Sequence, residues 1–131
     1  MIEILPMENR AQEKEILAQV SGAGADARVL AMCERGSVLG WVALELEAGA
    51  LRILRLHAEG YDGSQAPQGE EVFILDSLMR SAASYGETFG ADRIETAFPD
   101  FFGFFQARGF ECDDTHAFTP ISTIVKYKFP Q

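Results

Sequence analysis

His57 is the side chain in this sequence best suited to moving a proton near neutral pH. It lies near the end of the strand-like run LRILRLHA (51–58), and a neutral imidazole can serve as a general base. Glu45, Glu47 and Glu95 are further candidate bases, provided that their side chains face the same cleft. A half-exposed histidine at a strand end is the plainer reading, so a catalytic role for His57 depends on what surrounds it. The other histidine, His116, falls beside Cys112, Asp113 and Asp114. These types can ligate a metal, but their spacing matches no familiar site and a polar hairpin tip accounts for them, so no metal is expected. Cys33 and Cys112 lie outside any CxxC spacing and read as buried thiols. Ser77, Ser81 and Ser84 have no histidine close in sequence and lack the strand-turn-helix pattern of an activated serine. Trp41 reads as core or as the wall of a cleft.

These residues are carried by a regular alternation of elements. MIEILP (1–6) alternates and stops at Pro6, as a short strand does. Glu8 to Val20 is rich in helix formers, with Ile16, Leu17 and Val20 on one face, and SGAGAD (21–26) breaks it. Three strand-like runs, 27–34, 38–47 and 51–58, are joined by short turns and read as an antiparallel meander. A glycine-rich loop over 59–69 leads into a long helix whose apolar face steps through Val72, Leu75, Met79, Ala82, Gly86 and Phe89. Asp76 and Arg80 are placed to pair on its other face, and Gly90 to cap it. Residues 92–98 read as a strand, Asp100 to Arg108 as a short helix closed by Gly109, and the runs around FECDD and STIVKYKF as a closing hairpin. The strand-helix-strand unit over 51–98 puts its two strands parallel by a right-handed crossover. The fold class expected is therefore α/β: a mixed, mostly antiparallel twisted sheet with a central β-α-β crossover.

Composition narrows the function classes. The 131 residues fit one domain spanning 1–131, and 47% hydrophobic with 24% charged residues is ordinary for a globular chain. No apolar run approaches the roughly 18 residues that span a bilayer, and the N-terminus lacks a basic region followed by an apolar stretch, so a cytoplasmic protein is expected. The net charge of -9 excludes nucleic acid as a natural partner and suits a small amine or a basic peptide. The edge strands of a mixed sheet leave a homodimer open.

In this order, with ADRIETAFPDFFGFFQARGFE (91–111) in place, the sequence resembles the GCN5-related N-acetyltransferase (GNAT) family, which closes its short helix on a pattern like F-Y-x-x-x-G-F. Phe104-Phe105-Gln106-Ala107-Arg108-Gly109-Phe110 follows that pattern except at the tyrosine. The resemblance implies an acetyl-CoA-dependent N-acetyltransferase acting on an amine. It implies a V-shaped opening between the fourth and fifth strands, with the pantetheine arm of acyl-CoA laid along the fourth strand at Leu56 and Ala58. It also places the pyrophosphate on amides near Gln68 and Gly69, Phe105 beside the thiol, and His57 near the reaction centre.

Three features depart from the family pattern. The start of the long helix, GSQAPQGEEVF (63–73), has one glycine in Gln68-Gly69-Glu70 where the family carries Q/R-x-x-G-x-G/A, and Glu70 and Glu71 occupy its first turn. Carboxylates suit a helix start and repel a phosphate. Phe105 has no proton to give a leaving thiolate, and the N-terminal region has one helix where the family has two. These features imply an alternative: a GNAT-like binding or assembly module that has lost CoA binding. A third expectation is another small molecule in the same cleft, with 59–69 as its lid.

Overall fold

The alternation at the N-terminus becomes an edge strand. The computed structural model describes residues 2–61, 66–97 and 101–125. In it β1 (Ile2–Pro6) pairs antiparallel with β2 (Arg28–Glu34). The meander continues through β3 (Ser37–Glu47) and β4 (Ala50–Ala58). Helix α2 (Glu70–Thr88) then crosses over to β5 (Arg93–Thr96), which lies parallel to β4. Helix α3 (Phe102–Gln106) leads into a hairpin of β6 (Glu111–Cys112) and β7 (Ala117–Pro120). The strand order is β1-β2-β3-β4-β5-β7-β6. The α/β class, the antiparallel meander and the parallel crossover are those expected.

Each face of the sheet carries its own core. Helix α2 covers one face with Leu75, Leu78, Met79 and Ala82, packed on Val42, Leu51, Ile53 and Leu56. Gly86 lets it settle there, because an added Cβ would come within 2.7 Å of Leu51 Cβ. Helix α1 (Arg10–Leu17) covers part of the other face, over Val29, Ala31 and Ala43. It is shorter than the expected 8–20. The Asn9 side chain accepts the Gln12 N–H and fixes the start, and three-residue bonds from Gln19 and Val20 tighten the end. Glu13, a polar residue on the buried side of α1, accepts the Val29 N–H at 2.9 Å and Arg28 Nε at 3.0 Å. Burial pushes its carboxyl up, but these bonds and Arg10 outweigh burial and hold it below its usual range.

Several expected boundaries are corrected. Phe89 lies past the last turn of α2 and is 61% exposed, its ring resting on Tyr85. Asp100, the expected cap of α3, lies outside the described residues, as does Phe98. A strand forms over Ala117–Pro120, and of STIVKYKF only 122–125 is described and forms no strand. Asp113 Oδ1 accepts the N–H groups of both Thr115 and His116 and tightens the hairpin tip, so pairing resumes at Ala117. Ile121–Thr123 is a single 3-10 turn, and 126–131 lie outside the described residues. Cys33 and Cys112 are half-buried rather than buried, because one sits near the end of β2 and the other on the two-residue strand at the sheet's edge.

Candidate functional site

The sheet parts between β4 and β5. Their parallel register runs from Ala50↔Arg93 to Ile53↔Thr96, and no described strand pairs with β4 beyond it on that side. Two features mark the apex. Thr96 donates its hydroxyl to the Ile53 carbonyl at 2.8 Å. Across the meander the register shifts between Ala43↔Arg55 and Leu44↔Ile53, which leaves Leu54 as a bulge. Bulges bend a strand and strengthen its twist, here where β4 turns away from β5.

Past the apex, alternation decides what faces the opening. Glu59 donates its N–H to Leu39 of the β3 side at 2.9 Å. His57 and Arg55, in step with it, also turn their backbone toward β3, and Leu56 and Ala58 turn theirs toward the opening. The side chains of Leu56 and Ala58 are buried in the core under α2. His57 points to the opposite face, where its ring stacks on Trp41 with centroids 5.0 Å apart. Its Nε2 is 3.6 Å from the Glu59 carboxylate.

The other carboxylates considered from the sequence do not join His57. Glu45 is buried and accepts the Gly24 N–H at 3.2 Å. Glu47 pairs with Arg52 at 2.8 Å, and Glu95 with Arg93 at 3.2 Å. Glu45 lies opposite Arg52 in the register, whereas Trp41 lies opposite His57, so these groups occupy the closed end of the sheet. Among the described residues no group of histidine, cysteine and acidic side chains could hold a metal. His116 and Asp113 belong to the hairpin tip, with His116 Nδ1 2.7 Å from the Thr115 hydroxyl.

The start of α2 is partly satisfied from within. Gly69 takes φ +59° before the first turn, and the Glu71 carboxylate reaches back to accept the Gln68 N–H at 3.2 Å. Glu71 in turn donates its own N–H to the Gln68 carbonyl at 3.2 Å. The first bond is the glutamate half of a capping box, a carboxylate reaching back three residues to a backbone N–H. The second is a tight backbone turn into the helix, and the N-cap itself, Gly69, has no side chain to cap with.

The sequence matches no protein-family model, and no curated protein matches it. Solved structures match over most of its length. It superposes on an IAA acetyltransferase from Bacillus cereus ATCC 14579 with a TM-score of 0.68 at 14% identity, covering 92% of this chain and 99% of that one. The ribosomal-protein-S18-alanine N-acetyltransferase from Escherichia coli gives 0.63 at 10% identity, covering 98% and 99%. An acetyltransferase of the GNAT family from Staphylococcus aureus Mu50 gives 0.62 at 12% identity, covering 92% and 99%. The chain has the GNAT fold.

Within the GNAT fold, Phe105 is the residue whose position most changes its meaning. It is fully buried. Phe110 donates its N–H to the Phe105 carbonyl, Gly109 donates to Gln106, and Gly109 has φ +96°. This is a Schellman ending, and the rings of Phe105 and Phe110, 4.9 Å apart, form its usual apolar contact. The F-x-x-x-G-F spacing is thus the signature of how α3 stops. Sequence reasoning missed Tyr61 and Glu59. Tyr61 follows β4 and stacks on Phe101 at 5.9 Å, bridging the end of β4 to the approach to α3. No periodicity signals it, since it lies in the loop after the strand.

Proposed function

We propose that this chain is an N-acyltransferase that moves an acyl group from a pantetheine thioester to an amine. The observation that carries the proposal is the open edge of β4, where the backbone of Leu56 and Ala58 faces a gap that no described strand fills. An extended amide-bearing arm fits such an edge as an added strand, through backbone hydrogen bonds. The residues present fit that part of acyl-CoA. They fit the pyrophosphate poorly, because Glu71 already holds the Gln68 N–H. Acyl-CoA supplies the acyl group as an activated thioester when bound.

The chain's own residues would do the rest. The β4 edge holds the arm extended and fixes the thioester against the sheet, so that positioning carries most of the rate. His57, braced by Trp41 and beside Glu59, accepts the proton that the ammonium acceptor must lose before its nitrogen can attack. The acceptor is a small amine or a basic peptide, in keeping with the net charge of -9 and with Glu59, Glu70 and Glu71 near the opening. His57→Gln is expected to lower kcat by roughly 10²- to 10⁴-fold. An unchanged kcat would assign the proton transfer elsewhere.

A binding or assembly module without acyl transfer is the second reading, favoured by one observation: Phe105 is buried and has no hydroxyl to return a proton to a leaving thiolate. Isothermal titration with acetyl-CoA and with acetyl-pantetheine separates the two. Heat from either supports the transferase, and none from both at millimolar ligand supports the module.

A further inference from the structure

We infer that Glu71 sets donor selectivity by filling the anion position at the start of α2, so that the donor is recognised through its pantetheine arm and its phosphates add no affinity. The inference rests on the reading of β4 as the donor edge. A long helix ordinarily offers its first N–H groups and its dipole to an anion. Here part of that offer is used within the chain, and a carboxylate already stands beside it. Glu71 is half-buried, and its carboxylate accepts the Gln68 N–H at 3.2 Å while its own N–H is spent on the Gln68 carbonyl. Glu70 adds a second negative charge in the same turn. Across the described residues of this helix start, 66–73, no lysine or arginine offsets them.

A phosphate arriving there finds the Gln68 N–H occupied and must lie beside the Glu71 carboxylate. At about 5 Å and an effective dielectric near 20, two like charges weaken binding by roughly a hundredfold, which falls toward tenfold where water screens them. The pantetheine arm has no charge and meets only the β4 edge, so it does not feel this repulsion. The natural donor is therefore a pantetheine thioester in which the nucleotide is a spectator. An acidic carrier protein is disfavoured as its bearer by the chain's own net charge of -9.

The test compares CoA with pantetheine, both as free thiols, by isothermal titration of the full chain. In the wild type, the repulsion offsets what the helix start would otherwise add for an anion. The two are therefore expected to bind within about threefold of each other, and raising the salt should tighten CoA alone, because it screens repulsion. Glu71→Gln keeps an oxygen for the Gln68 N–H and removes the charge. It should tighten CoA by roughly tenfold or more and leave pantetheine unchanged. CoA binding the wild type more than tenfold tighter than pantetheine would overturn the inference, as would a Gln variant with an unaltered ratio. The salt series on the wild type decides the matter even where the variant does not fold. If neither ligand binds, the donor edge itself is refuted, and the selectivity falls with it.

Discussion

Two stretches of backbone border the same opening, and they end in opposite states. On β4, the amides of Leu56 and Ala58 face a gap where no described strand lies. At the start of α2, the Gln68 amide is already held by the Glu71 carboxylate. Both are ends of regular structure whose N–H groups need an acceptor. The difference lies in what the local chain can reach. Side chains on a strand stand perpendicular to the sheet, so no residue of β4 can bend over its own edge. A glutamate in the first turn of a helix reaches the amide three residues before it with ease. A sheet edge stays available to a ligand by geometry, whereas a helix start stays available only where the sequence withholds the carboxylate.

The same habit recurs away from the opening. Glu13 takes the Val29 N–H, and Glu45 takes the Gly24 N–H. These contacts tie β2 and the loop after α1 into place, so part of the acidic excess is structural. Of these three carboxylates, Glu71 is the one that stands at the start of α2.

The contrast can be broken most forcefully from beneath α3. Phe105→Ala removes a fully buried ring and the apolar contact of the Schellman ending with Phe110. The expected loss is about 3–5 kcal/mol of unfolding free energy, measured by urea denaturation. With α3 loosened, pantetheine binding to the β4 edge should weaken together with stability, while the Glu71–Gln68 cap, local to α2, should persist. A loss under 1 kcal/mol would mean that the site refills and that the ring does not anchor α3.

A milder break separates α3 from α2 without touching either amide border. Asp76 accepts from Arg108 Nε at 2.6 Å and from Arg80 Nε at 2.9 Å, and the Arg108 guanidinium lies 3.7 Å from the centre of the Phe104 ring. Burial pushes the Asp76 carboxyl up, but the bonds from Arg108 and Arg80 outweigh burial and hold it below its ordinary value of 3.8. A carboxylate with a lowered folded-state pKa stabilises the fold above its unfolded value, and that contribution fades as pH falls through the folded value. Asp76→Asn should therefore cost about 1–2 kcal/mol at pH 7, discounted for partial exposure. The difference from wild type should shrink below about pH 4. Denaturation midpoints at the two pH values check this, and a difference independent of pH would remove the charge from the account.

Most of the fold was legible because its signals are local and repeated. The stepped apolar face of α2, the short turns of the meander and Gly109-Phe110 each act within a few residues, so the sequence carries them whole. The Asp76–Arg80 pair was visible for the same reason. Arg108, the stronger partner, joins from 32 residues away and left no spacing to find. Glu13 was hidden in a run of helix formers, since only the register of α1 on β2 shows that it is buried. The site was legible in part. The positions of Leu56, Ala58, His57 and the α2 start follow from element order, but Glu59 as the neighbour of His57 and the hold of Glu71 on Gln68 emerge only once the chain is folded.

The smallest effect concerns the apex, where the two borders begin to diverge. Thr96 is 1% exposed and gives its hydroxyl to the Ile53 carbonyl at 2.8 Å, across the last parallel pair. Thr96→Val keeps the branched shape and removes that bond, for an expected cost of about 1 kcal/mol and a fall in Tm of roughly 3–6 °C. The more telling readout is local. If the hydroxyl pins the point at which β4 leaves β5, the variant should exchange the amides of β5 faster while those of α2 keep their protection. Pantetheine should then bind a few-fold more weakly, because a ragged edge must be ordered before it can receive an added strand, and CoA should weaken by the same factor. A change in CoA alone would show that the apex and the α2 start are coupled. Equal changes would show that the opening owes its shape to the sheet and its selectivity to Glu71.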